Sequence, residues 1–296
     1  MKEKPFSKYQ ILANAVMIIW SLAIFLPFIL LFMSSITDEN TLVANGYSFF
    51  PKKFSLASYS YIIKSGGQIL KAYGVSIGVT VVGTLLNVLL SALMAYPLSV
   101  KNLPGRNVMM FFVFFTMLFN GGIVPSYIMW TGTFHIKDTI FAQLLPNFLL
   151  SAWNVMMIRT YFTTSIPDGL YEAAEIDGAS QFTIFWKIVL PLGKPILVTM
   201  GTFAGLAYWN DWTNGLYYIV KNTGLYNVQN LLNQMVQNIQ FLTQSSNSNV
   251  TAAASTIPAT GIQMAIAFVA ILPIMLIFPS FQKYYAKGIA LGAVKG

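Results

Sequence analysis

The chain has 296 residues, 56% of them hydrophobic and only 9% charged, with no cysteine and one histidine. Soluble domains carry roughly 25% charged residues, so this balance fits a polytopic membrane protein. The lack of cysteine excludes a disulfide framework, a thiol nucleophile and a thiolate metal site, and a lone His135 excludes a multi-histidine centre. The net charge of +8 is scattered over loops without a basic stripe, which matches lipid headgroups and not nucleic acid.

Lys2, Lys4 and Lys8 precede an uncharged run at 11–34, about the 20 residues needed to cross the hydrocarbon. The run is longer than a signal-peptide core and contains Pro27 and bulky Phe residues. It predicts an uncleaved first span behind an N-terminal segment of residues 1–10. Residues 35–72 read as a polar outer loop with a surface helix over 59–70. A second span covers 73–98, and Lys101, Pro104, Gly105 and Arg106 form a basic turn. A third span starts near Val108 and is interrupted by Asn120-Gly121-Gly122 and Pro125. Such a break needs polar or protein surroundings, because lipid cannot satisfy freed backbone groups.

A fourth span is expected over 139–157, bent by Pro146 and ending at Arg159. A polar elbow follows at 165–195. The fifth span, 196–208, leaves the bilayer at Trp209-Asn210-Asp211-Trp212. The longest loop is 213–261. Within it Val228, Leu231, Leu232, Met235 and Ile239 have helical spacing, with Asn and Gln on the other face. Residues 261–281 form the sixth span and 283–296 a tail. Six spans put both termini on one side, and Lys and Arg decide which. Eleven lie on the terminal side (Lys2, Lys4, Lys8, Lys101, Arg106, Arg159, Lys187, Lys194, Lys283, Lys287, Lys295) and six on the other (Lys52, Lys53, Lys64, Lys71, Lys137, Lys221). Termini and elbow are therefore expected in the cytoplasm.

The elbow holds four of the nine acidic residues, Asp168, Glu172, Glu175 and Asp177. Ser165 and Asp168 resemble a capping box, with Pro167 in the first turn. Leu170, Ala173, Ala174 and Asp177 fall at helical spacing, and Gly178 is placed to stop the helix. Residues 181–189 suit a second short helix before Leu190-Pro191 turns the chain back.

No charge lies well inside a predicted span; Asp211 is at an edge. A self-sufficient carrier or channel would place ionisable groups or inverted repeats of broken helices there. A membrane-embedded enzyme would need a nucleophile–base pair or a metal set. A P-loop is also missing, since Gly193-Lys194 is followed by Pro195. Energy for uphill transport must come from another chain, and the acidic elbow is the place for it to dock. Asn120, Trp209, Asn210 and Asp211 are candidates for a substrate path. For the tryptophans and Asp211, a membrane-interface belt with a helix-end cap is the alternative.

E-A-A-x-x-D-G-A at 172–179 followed by I-V-L-P at 188–191 resembles the EAA signature of permease subunits of ATP-binding-cassette importers. N-G-G-I-V-P at 120–125, A-Y-W-N-D-W at 207–212 and the 281–296 terminus are similar to the carbohydrate-uptake branch, the maltose-type second permease. The resemblance implies an all-α fold of six transmembrane helices, with a permease core over 73–282 and a cytoplasmic coupling helix at 170–181 between spans four and five. That helix would seat in an ATPase subunit. Leu170, Glu172, Ala173, Ala174, Asp177, Gly178 and Ala179 would form the contact, and Val294-Lys295-Gly296 would add to it. It further implies a bacterial inner-membrane location, a second and different permease, two ATPase subunits, an extracytoplasmic solute-binding protein and a saccharide substrate. The chain itself would bind no cofactor; ATP and Mg would sit in the partner ATPases.

Overall fold

A computed structural model describes residues 8–64, 66–244 and 259–293. Among them there is no strand, only an isolated bridge between Thr37 and Phe54. The first apolar run forms α1 (Lys8–Ser35, 28 residues), about 42 Å long and enough for a bilayer core of about 30 Å. Two short helices follow, α2 (Glu39–Asn45) and α3 (Ala57–Lys64). The surface helix expected over 59–70 therefore ends early. Ile69 and Leu70 instead join α4 (Gly66–Ser99), because they continue the apolar run of the next span.

Helix α5 (Arg106–Leu118) and helix α6 (Ile123–Ile128, extended by a π turn over Met129–Thr133) meet at 110°. The Asn-Gly-Gly break thus redirects the chain.

Residues 139–157 do not form one continuous helix. Helix α7 (Phe141–Leu144) is a single turn, 145–151 are irregular, and α8 runs from Ala152 to Ser165. Pro146 has no N–H to continue a helix, and Asn147 takes a left-handed backbone at φ +68°. The helix restarts only after extended Ser151. Arg159 consequently lies inside α8, where its Nε donates to Leu98 O at 3.2 Å. At 14 residues, α8 rises about 21 Å, short of a full crossing by itself.

The chain continues through α9 (Asp168–Ile176), α10 (Gln181–Ile184), a π turn at Phe185–Val189, and α11 (Leu190–Leu192). After these come α12 (Lys194–Asn210), α13 (Thr213–Tyr218), α14 (Val228–Gln244) and α15 (Ala259–Ala293). Most of the expected tail is therefore helical, while 294–296 lie outside the described residues. Among the described residues, α1, α4 and α15 are each long and apolar enough to cross a membrane. Counting α5 with α6, and 181–192 with α12 (bent by 78°), as one span each raises this to five. The broken 139–157 stretch adds no such helix, so length and composition alone do not count six spans among the described residues.

The chain divides into two compact units, one from residues up to 69 with 232–273, the other from 70–231 with 274 onward. In the first, Ile62, Ile262, Ala265 and Ile266 form the core. Glu39 accepts from the backbone N–H groups of Thr260 and Gly261, both at 2.8 Å, and so caps the start of α15. In the second unit, glycines let α12 lie close on α4. A Cβ on Gly201 would sit 3.3 Å from Val88 Cγ2, and one on Gly205 3.3 Å from Thr84 Oγ1. Between α4 and α8, Asn154 Nδ2 donates to Asn87 Oδ1 (2.7 Å), and Asn87 Nδ2 to Phe148 O (2.6 Å). A buried amide must be bonded this way, because an unpaired one is costly in apolar surroundings.

Candidate functional site

The elbow is built onto the second unit by the residues that join α8 to α9. Residue 166 precedes a proline, which favours extended backbone, and Ile166 is extended with its side chain buried. Pro167 then caps α9 from outside. The capping box expected between Ser165 and Asp168 does not form, because Ser165 is still the last residue of α8.

The far end of α9 closes in a Schellman turn. Gly178 takes φ +75°, a conformation that costs any other L-residue roughly 1–2 kcal/mol. Its N–H donates to Glu175 O (3.0 Å), and Ala179 N–H donates to Ala174 O (2.9 Å). The helix therefore ends at Ile176, short of the 170–181 expected. Ser180 then caps α10 by accepting from Thr183 N–H at 3.2 Å.

One side of α9 faces the chain's own core. Ala174 is buried there with Ala92, Ala95 and Leu98 of α4 and Ile158 and Phe162 of α8. Tyr171 stacks on Tyr96 with ring centroids 6.4 Å apart, and Tyr96 meets Phe185 at 5.4 Å. Tyr96 Oη donates to Gln181 Oε1 (2.6 Å), and Gln181 Nε2 donates to Glu175 Oε1 (2.9 Å). Lys101 pairs with Asp168, an exposed contact worth at most about 1 kcal/mol. Of the two adjacent alanines, Ala174 is thus committed to internal packing, and Ala179 is partly buried against the same core.

The opposite side is open. Leu170, Glu172, Ala173, Ile176, Asp177 and Gly178 are exposed, and Ile176 keeps 86% of its surface. Beyond the turn, Phe182 and Trp186 are also exposed, their rings in edge contact at 5.9 Å. The result is an apolar patch fringed by carboxylates on a rigid mount, the anatomy of a protein-docking surface. Sequence reasoning missed Ile176, Phe182 and Trp186. The signal was present, since Leu170, Ala173 and Ile176 recur every third residue.

The candidates for a substrate path separate by burial. Trp209 is buried, with Tyr73 at 6.3 Å. Asp211 is buried as well, and its Oδ1 accepts from Thr213 N (3.0 Å), Thr213 Oγ1 (2.7 Å) and Asn214 N (3.3 Å). It therefore heads α13. Burial pushes its carboxyl up from the ordinary range, while these bonds pull it down. Around it Asn227 Nδ2 donates to Asp211 O (2.6 Å), Asn214 Nδ2 to Pro146 O (3.1 Å), Gln143 Nε2 to Leu225 O (3.2 Å), and Asn230 Nδ2 to Trp212 O. This buried amide cluster joins α7, α13 and the start of α14. Asn210 and Asn120 are exposed; Asn120 Oδ1 accepts from Gly122 N at 2.8 Å and shapes the break before α6.

Asp138, which the sequence reading passed over, pins another loop. Its Oδ1 accepts from the backbone N–H groups of Val220 (2.7 Å), Lys221 (2.7 Å) and Asn222 (3.2 Å). Those bonds, led by the one from Lys221, hold the carboxyl below its ordinary range. Among the described residues no cluster of three or more His, Cys, Asp or Glu could hold a metal ion.

Residues 74–291 match the family model described as the binding-protein-dependent transport system inner membrane component. The chain belongs to this family. This inner membrane component is 36% identical to Protein LplC of Bacillus subtilis (strain 168) over 271 residues, 92% of this chain and 89% of that protein. It is 36% identical over 288 residues to the polygalacturonan/rhamnogalacturonan transport system permease protein YtcP of the same organism, covering 97% and 98%. A solved crystal structure of a bacterial ABC transporter involved in the import of the acidic polysaccharide alginate contains a chain that aligns with a TM-score of 0.79. Identity there is 26%, and the alignment covers 96% of this chain and 100% of that one. The matched region opens inside α4 and closes inside α15, so the elbow and the amide cluster both lie within it. As a member of the family, the chain is a membrane transport subunit that works with other transporter components.

Proposed function

We propose that this chain is a permease subunit of an ATP-binding-cassette importer for oligosaccharides or polysaccharide fragments, and that α9 is its coupling helix. The single observation that carries the coupling role is the elbow: a stiffly mounted helix whose outer face is apolar, fringed with carboxylates and left uncovered. A separate ATPase subunit seats on Leu170, Glu172, Ala173, Ile176 and Asp177, with Phe182 and Trp186 flanking. ATP and Mg belong to two such subunits, and a second, different permease supplies the other coupling helix. Both termini and the elbow are cytoplasmic. The opposite end receives sugar from an extracytoplasmic binding protein, with Asn120 and Asn210 the polar groups open to a passing substrate. ATP shifts the permease pair toward its outward-facing state because the closed ATPase pair fits that state better.

The natural absence of cysteine makes a direct test clean. Ile176→Cys in the assembled transporter should crosslink to the ATPase and resist impermeant thiol reagents applied outside intact cells. Labelling from outside, or no crosslink in an assembled complex, overturns the proposal. Ion-gradient-driven uptake by vesicles holding this chain alone would favour a self-sufficient carrier.

A further inference from the structure

The geometry points to a cationic, aromatic-backed surface at the end of the second unit away from the elbow, which receives the carboxylates of uronate-bearing oligosaccharides. This inference rests on the saccharide-permease reading and narrows it to a substrate class.

Helix α12 leaves the elbow at Lys194 and ends at Asn210, about 25 Å further on. Beyond it, the loop after α13 gathers three lysines from distant parts of the chain. Lys71 of α4 reaches the loop, its Nζ 2.6 Å from where a Cβ on Gly224 would lie. Lys221 is part of the loop. Lys137 is tied to it through its neighbour Asp138, which accepts the three backbone N–H groups of residues 220–222. All three lysines are exposed. Among the described residues, none of their ammonium groups lies within 4.0 Å of a carboxylate; the two ion pairs there are Lys53–Asp38 and Lys101–Asp168. Asp138 is the acid at this loop, and its Oδ1 is already filled by backbone donors. Three positive charges against one leave a net charge of about +2.

Lys137 stands beside aromatic rings. Lys137 Nζ lies 3.2 Å from Tyr127 Oη and 5.9 Å from the ring centroid. Tyr127 stacks on Tyr218 at 5.8 Å, and Phe134 is exposed with Trp130 at 5.1 Å. A pyranose presents an apolar C–H face that packs on aromatic rings. A uronic acid adds one carboxylate per ring, which a flexible ammonium meets as a point charge. A neutral oligosaccharide would pack on exposed Phe134 and gain nothing from the net charge.

The test uses the complete importer with its binding protein in proteoliposomes. Uptake of trigalacturonate and trimannuronate is compared with that of neutral arabinotriose and cellotriose, at low and high salt. The triple variant Lys71→Gln, Lys137→Gln, Lys221→Gln should lower uronate uptake about tenfold or more at low salt, the small end of electrostatic steering. It should also remove the salt dependence, and the three Lys→Arg changes should restore uptake. Transport of neutral sugars alone, or uronate uptake that the Gln variant leaves unchanged, overturns the inference while the importer reading stands. An equal loss of ATPase stimulation by ligand-free binding protein also overturns it, because the lysines would then meet that protein and not the sugar. Failure of the wild type to carry any saccharide overturns the importer reading itself.

Discussion

Ile176→Ala isolates the docking role of the elbow from its folding. Ile176 is 86% exposed, so truncating it removes almost no internal packing. The change deletes three carbon groups, each worth about 0.8 kcal/mol when fully buried. Because most of that surface is still free, a partner that covers it gains about 2 kcal/mol from those groups, or about 30-fold in affinity. Insertion and thermal stability of the isolated permease should therefore stay at wild-type values. Retention of the ATPase on the detergent-purified complex, titrated against added ATPase, should shift by about that factor. An unchanged titration midpoint in a stably inserted variant would refute the reasoning, since it would show that no partner covers the residue.

Other outcomes follow from the same geometry. Gly178→Pro should uncouple ATP hydrolysis from uptake, because proline fixes φ near −65° where the turn needs +75° and also removes the N–H bonded to Glu175 O. Glu172→Lys, at an exposed position, should uncouple by reversing the charge at the contact without loss of membrane insertion; normal substrate-stimulated ATPase activity in either assembled variant counts against the elbow's role. Gly215→Ala should destabilise the packing of α13 on α14 by about 1–3 kcal/mol, seen as a lowered Tm, because the new Cβ would land on the Asn230 side-chain amide. For Asp138 the folded carboxyl is held below its ordinary range. Its anchoring of residues 220–222 is thus complete above the ordinary carboxylate range and fades as pH falls below about 4. Hydrogen exchange at those three amides should rise over that interval relative to the rest of the chain, and Asp138→Asn should abolish the pH effect.

The long apolar runs behind α1, α4, α12 and α15 were legible because lipid tolerates few alternatives to an uninterrupted greasy helix. The amphipathic pattern behind α14 was legible for the same kind of reason, a period that only a helix satisfies. The break within 139–157 was not legible in full, because the composition matches a continuous helix while Pro146 and Asn147 interrupt it. The polar residues there carried the missing information. Gln143 binds a carbonyl 82 residues away and Asn147 an amide 67 residues away. No local pattern reveals partners at that separation. At the elbow, Gly178 announced the turn and Leu170, Ala173 and Ile176 shared a spacing, but no local pattern showed which face α4 and α8 would cover. Ala174 lies on that covered face.

Membrane voltage does work only on net charge, about 2.3 kcal/mol per elementary charge per 100 mV. Arg159 of α8 puts one charge on Leu98 O of α4, but the separate joint made by Asn87, Asn154 and a carbonyl is electrically neutral. Depolarising the cell therefore neither tightens nor loosens that joint. Any response of this subunit to voltage must therefore come through charges elsewhere, Arg159 among them, or through charge on the solute it carries.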